Sequence, residues 1–446
     1  TLQNVSASGA VNGISATSVT GAGLQVTGNG GNCTVATPTC TGGQIQNTSG
    51  TGVALSSVST VVLTQLRVQG SGAHGISATG SINLTLASSY LQSNGNGDEE
   101  NGLNLLNAAG TVLVDASSFN GAAENLIRVD NNNANLTFTV QGASSFEFPN
   151  PEPSAFRNSG ILITPKGSSM ITATVTGNTF RNIPVSSFQA APDASVTSTS
   201  TYTFTNNTLS ADVGLNVTCG SNPQCRVGNV VAGGTGGITN FIATGNNFNR
   251  VNGDGVFILG ANQSSTLRLR VDNNTIANAL DDAFVVGLGQ SARVIAQFNG
   301  NSISNIGADV LEVASGEVNA GFGAGSASDM DLVFTNNSMN TVGTNASLAG
   351  TGGPGVFRFG DADQLLCLAF TGNSMSGPLP TTGLKVYLDG NFGALGGSMT
   401  YEGAGAGALT DAKIQADNPG MALAPANTVI SAVNLSNGAT CQRPGI

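Results

Sequence analysis

At 446 residues the chain is long enough for two or three ordinary domains, or for one repetitive fold that lengthens by adding coils. Only 9% of residues are charged and 5% aromatic, Trp is absent and Gly reaches 62, yet 39% are apolar, more than a disordered chain carries. The formal charge of -11, with Lys only at 166, 385 and 413, leaves no basic stripe and argues against nucleic acid or an anionic membrane as partner.

No stretch approaches the roughly 20 consecutive apolar residues that span a bilayer, so no transmembrane segment is expected. The sequence starts at Thr1 without a charged-then-apolar leader, and an export signal is expected to have been removed or to lie outside it.

In chain order, Thr1 to Val26 alternates like strands and shows no obvious cap. Cys33 and Cys40 follow in a Gly, Pro and Asn-rich stretch, and Cys219 and Cys225 repeat that arrangement. Both pairs predict local disulfides, and Cys367 with Cys441 follows by elimination, pinning the end of the chain back onto the fold. No Cys-x-x-Cys knuckle or His cluster accompanies them, which argues against zinc. An even count with local pairing points to an oxidising, extracellular compartment.

A first repeat places a small or acidic residue before an apolar strand: Thr51-Gly-Val-Ala-Leu55, His74-Gly-Ile-Ser-Ala78, Asn101-Gly-Leu-Asn-Leu105 and Glu124-Asn-Leu-Ile-Arg128. It returns as Asp254-Gly-Val-Phe-Ile258, Asp282-Ala-Phe-Val-Val286 and Gly355-Val-Phe-Arg-Phe359. Here His74 reads as a turn residue and Asp98-Glu-Glu100 as a solvated loop.

A second repeat is clearer. Val175-Thr-Gly-Asn-Thr-Phe180, Phe204-Thr-Asn-Asn-Thr-Leu209, Ala243-Thr-Gly-Asn-Asn-Phe248, Val271-Asp-Asn-Asn-Thr-Ile276, Phe298-Asn-Gly-Asn-Ser-Ile303, Phe334-Thr-Asn-Asn-Ser-Met339 and Phe370-Thr-Gly-Asn-Ser-Met375 share one Asn, at 178, 207, 246, 274, 301, 337 and 373. Coils of about 23 to 28 residues with loop insertions fit this spacing, as in stacked solenoids. Leu267, Leu269 and Val271 alternate with Thr266, Arg268 and Arg270, and period two means strand. Val271, Phe298, Phe334 and Phe370 are then expected in one apolar column. Gly-Asn or Asn-Asn suits a sharp bend, and an Asn in register on every coil can bond its amide to the next. Seven such Asn predict a ladder.

The run Asn273-Asn-Thr-Ile-Ala-Asn-Ala-Leu-Asp-Asp-Ala-Phe-Val-Val286 resembles the right-handed parallel β-helix repeat of pectate-lyase-like proteins and of bacterial surface adhesins and autotransporter passengers. The resemblance covers roughly residues 40 to 390 and implies an all-β, right-handed single-stranded parallel β-helix. It leaves function open, because that fold carries lyases, hydrolases, adhesins and spacers.

Asp254, Asp281, Asp282 and Asp309 recur near the coil period and are the weak calcium or acid-base candidates. An Asp before a small residue is also a common turn choice. The family's pectin hydrolases carry Asn-Thr-Asp, Asp-Asp, Gly-His-Gly and Arg-x-Lys in order, whereas here only Asp281-Asp282 and a broken Gly72-Ala-His-Gly75 occur, in the wrong order. No catalytic residue, resident metal or cofactor is therefore expected. Asn-x-Ser/Thr sequons, Asn83 and Asn135 among them, carry little information in so Asn-rich a chain.

Past residue 395 the pattern breaks, giving an expected β-helix over 1-394 and a tail or cap over 395-446 with a strand at Thr428-Val-Ile-Ser-Ala-Val-Asn-Leu435. The functional expectation is a secreted or cell-surface structural protein that associates with itself. An adhesin presenting its loops to surface or matrix glycans, or a polysaccharide lyase or hydrolase, are the alternatives.

Overall fold

The computed structural model describes residues 1–31, 33–34, 39–149, 159–212, 228–251, 255–279, 281–289, 291–315, 328–342, 357–360, 364–376, 386–388, 398–402, 411–420, 435–437 and 440–446. They fall into two compact units, Thr1–Gly228 and Asn229–Ile446. Each unit is a stack of parallel strands, the all-β parallel β-helix that the repeats predict.

In the first unit a coil contributes three strands. A short one, such as Ser118–Ala122, Ser145–Glu147 or Thr179–Arg181, is followed by one such as Ile127–Asn132 or Ile161–Lys166, then by one such as Leu136–Gln141 or Ile171–Thr176. Each pairs in parallel with its equivalent one coil away: Phe119 with Phe146 and then Phe180, Ile127 with Ile161, Phe138 with Ala173. The second unit repeats the scheme. Leu269 pairs with Ala296, Phe257 with Phe284 and Ile276 with Ile303.

The pleat sends alternate side chains inward, and register then stacks like on like. Val271, Phe298, Phe334 and Phe370 are successive register partners, as their spacing predicts. Ring centroids lie 6.1 Å apart for Phe298 and Phe334 and 5.8 Å for Phe334 and Phe370. In the first unit Phe119, Phe146 and Phe180 form a second column at 5.1 and 4.7 Å. At these separations the rings also attract beyond the area they bury.

Between columns the chain must turn sharply. The residue before each ladder Asn adopts positive φ: Gly177, Asn206, Gly245, Asn273, Gly300, Asn336 and Gly372. That is the backbone region Gly enters freely and Asn tolerates better than other residues. The Gly-Asn and Asn-Asn pairs thus divide the labour, the first residue bending and the second bonding.

The tail contains one described helix, Asp411–Asp417, at seven residues too short to reveal a 3.6-residue period in the sequence. It also contributes strands Ser398–Tyr401 and Leu435–Asn437. The remainder of the expected 428–435 strand lies outside the described residues.

Candidate functional site

All seven repeat Asn are buried at 1% exposure, and the described bonds run along the stack. In the second unit the backbone N–H and the Nδ2 of Asn274 both donate to Oδ1 of Asn301, each at 3.0 Å. Asn301 donates in the same way to Asn337 (2.9 and 2.9 Å), and Asn337 to Asn373 (3.0 and 3.1 Å). The second Nδ2 hydrogen reaches back to a carbonyl, Asn301 to Val271 and Asn337 to Phe298. Asn246 begins this run on Asn274, and in the first unit Asn178 donates to Asn207. From Asn274 to Asn373 each buried amide is thereby satisfied on both its donor and acceptor sides.

Two extensions are not evident from the Asn repeat. In the first unit serines occupy the same corner: Leu66 N–H donates to Ser89 Oγ, Ser89 N–H to Ser117 Oγ, Ser117 N–H to Ser144 Oγ, and Ser144 N–H to Asn178 Oδ1, at 3.0 to 3.2 Å. The signal was available, since Ala116-Ser-Ser-Phe119 and Ala143-Ser-Ser-Phe146 align with Gly177-Asn-Thr-Phe180. At the other end Asn418, just past the helix, accepts from the N–H and Nδ2 of Asn373 at 3.0 and 2.9 Å. Its own Nδ2 donates to Phe370 O and Ile414 O. Gly420 adds a parallel bridge to Ser374, so Asn418 to Gly420 stand in for one more coil.

A second polar corner lies where the first repeat sits. Asn125 donates its N–H and Nδ2 to Asn101 Oδ1 at 3.1 and 2.9 Å, and Ser159 N–H donates to Asn125 Oδ1 at 3.2 Å. Here the later coil donates to the earlier one, the reverse of the first ladder. Nearby, His74 Nδ1 accepts the Asn101 N–H at 3.1 Å, and burial holds the imidazole below its usual range. Glu100 accepts the Asn96 and Gly97 N–H groups, which fixes the 96–100 loop. Arg128 joins Glu99, Glu124 and Asp130 in an ion-pair cluster.

The acidic candidates belong to the equivalent corner of the second unit. Asp282 is 5% exposed and accepts the Asp309 N–H at 2.6 Å, as Asn125 accepts that of Ser159. Its carboxyl is pushed well above the usual range by burial first, then by Asp309, Glu312 and Asp281. Glu312 is a member the sequence did not single out. Asp254 lies outside the described residues. Among the described residues, three ligating atoms come within 4.8 Å of one another only at Asp331, Cys367 and Cys441, and those two sulfurs are bonded to each other.

Cys33–Cys40 and Cys367–Cys441 are disulfides, with Cα–Cα separations of 4.6 and 5.4 Å. Cys219 and Cys225 lie outside the described residues. No helix among the described residues is long and apolar enough to cross a membrane.

Every described Phe and Tyr side chain is buried, and the exposed large apolar residues are Leu2, Val11, Leu106 and Met170. None of the rings whose side chains are described therefore offers a platform for a sugar ring. No family model, curated protein or solved structure matches this chain.

Proposed function

We propose that this chain is a secreted, extracellular structural or surface protein that associates with itself. In this reading it is a solenoid of the broad type found in the pectate-lyase-like superfamily and in surface adhesins, used for scaffolding rather than catalysis. The observation that carries it is where the polar and aromatic side chains go. The Asn and Ser ladders bind coil to coil, and the described rings stack inside. A polysaccharide-cleaving site needs the opposite arrangement, with carboxylates free to move protons and rings exposed to sugar.

Asp282, the best acid candidate, holds a backbone N–H in a corner position that Asn fills elsewhere. The disulfides suit an oxidising compartment. Self-association draws support from the low charge of the chain, 9% of residues, which leaves little repulsion between copies.

Sedimentation of purified protein across a range of concentrations, run beside an assay for cleavage of acidic and neutral polysaccharides, tests this. The reading requires concentration-dependent assembly and no cleavage. A monomer at all concentrations removes self-association, and cleavage abolished by Asp282→Asn overturns the structural role.

A further inference from the structure

The outward positions of the second unit's long strands form rows, one of which runs Arg270, Gln297, Val333, Ala369 by register. The row begins polar and turns apolar. Val333 and Ala369 are each 3% exposed although they point away from the core occupied by Leu332, Phe334, Leu368 and Phe370. Cys441, at the head of the segment Cys441–Ile446, packs on Val333 and Ala369, with Cys367 beside it.

That segment has one covalent anchor and several polar ones. Cys441 is bonded to Cys367, and its N–H donates to Glu402 Oε2 at 2.8 Å. Gln442 N–H donates to Asp331 Oδ1 at 2.8 Å, and Arg293 donates to Gln442 Oε1 at 2.7 Å. Arg443 makes a two-pronged ion pair with Glu402 at 2.6 and 2.9 Å, and Arg270 reaches the Ile446 carbonyl at 3.5 Å.

We propose that Cys441–Ile446 is a thiol-released strap, and that opening the Cys367–Cys441 bond lets it leave the outer sheet face and uncovers the apolar strip of Val333 and Ala369. The polar anchors lie largely at the surface, where ion pairs are screened, and they must hold six residues in one conformation against chain entropy. The disulfide removes most of that entropic opposition by keeping Cys441 in place. Release is a two-electron exchange: a thiolate attacks one sulfur, a second thiol resolves the mixed disulfide, and two protein thiols and one external disulfide result.

The test is amide hydrogen exchange on the full chain, before and after treatment with a dithiol, and on the Cys367→Ser/Cys441→Ser variant, which keeps Cys33–Cys40 intact. Release predicts that the Cys441 and Gln442 amides lose at least about tenfold in protection. The Asn337 and Asn373 amides on the ladder, in contrast, keep theirs. Strap amides that stay equally protected after complete reduction overturn the proposal. So does simultaneous loss at Asn337 and Asn373, which makes the bond a support of the stack and not a latch. Dithiol treatment of the folded wild-type chain supplies the result if the double variant does not fold.

Discussion

Removing one rung from the middle of the ladder has a cost that follows from its bonds. The Asn301 side chain accepts two hydrogen bonds from Asn274 and donates to Val271 O and Asn337 Oδ1, all between 2.9 and 3.0 Å. Asn301→Ala deletes all four, and the buried Asn274 N–H is left without its acceptor. At about 1 kcal/mol net per bond, the loss comes to about 3–4 kcal/mol. Asn301→Ser should cost less, about 2 kcal/mol, because a hydroxyl can accept the preceding coil's N–H as Ser117 and Ser144 do. Ser302, exposed on the adjoining short strand, is the control, and Ser302→Ala should shift stability by less than about 0.5 kcal/mol. Urea unfolding followed by far-UV circular dichroism reads these differences, provided the slope is the same in each variant. If Asn301→Ala and Ser302→Ala were indistinguishable, the ladder would contribute nothing to stability and the reasoning would fail.

Three other outcomes follow from the same structure. Asp282 has a raised folded-state pKa, so its protonated form stabilises the fold below the unfolded carboxyl range and that stability is lost as pH rises through the folded value; Asp282→Asn should raise the melting temperature at pH 7 and flatten its pH dependence, and a lower melting temperature at pH 7 would contradict this. Loop-closure entropy makes the Cys33–Cys40 bond, with a sequence separation of 7, worth about 2.4 kcal/mol; replacing both Cys by Ser should lower the urea unfolding midpoint accordingly, and an unchanged midpoint would refute it. Asn418→Ala should expose the Asn373 N–H to exchange while leaving Asn274 protected, whereas unchanged Asn373 protection would mean that Asn418 does not close the ladder.

The strand columns were legible because register depends on a period-two pattern that the sequence displays openly, as at Leu267, Leu269 and Val271. The bend was legible for a similar reason: Gly and Asn are the residues that tolerate its backbone angles. The serine rungs were hidden by composition, since Ser is abundant everywhere and only its alignment with Asn178 gives Ser117 or Ser144 meaning. Asn418 was hidden differently. It lies outside the repeat and reaches the ladder from the end of a helix, so no periodicity marks it.

The acidic candidates show what spacing alone leaves open. Asp282 and Asp309 do meet, but whether two carboxylates act on a ligand or replace an amide in a corner depends on burial and on which N–H points at them. The strap was half visible, because elimination paired Cys441 with Cys367. Its docking face was not, since Val333 and Ala369 read as ordinary members of alternating strands until the covering segment is placed on them.

The claim that matters most is that the ladder Asn side chains are committed to binding coil to coil. Amide exchange at Asn178, Asn274, Asn301, Asn337 and Asn373 in the intact protein tests it most directly, because each of these backbone N–H groups donates to a side-chain oxygen on the next rung. A continuous ladder predicts protection at the level of the neighbouring sheet amides, such as those of Leu269 and Ala296. Exchange as fast as in an open turn would contradict it, and with it the reading of these corners as structural.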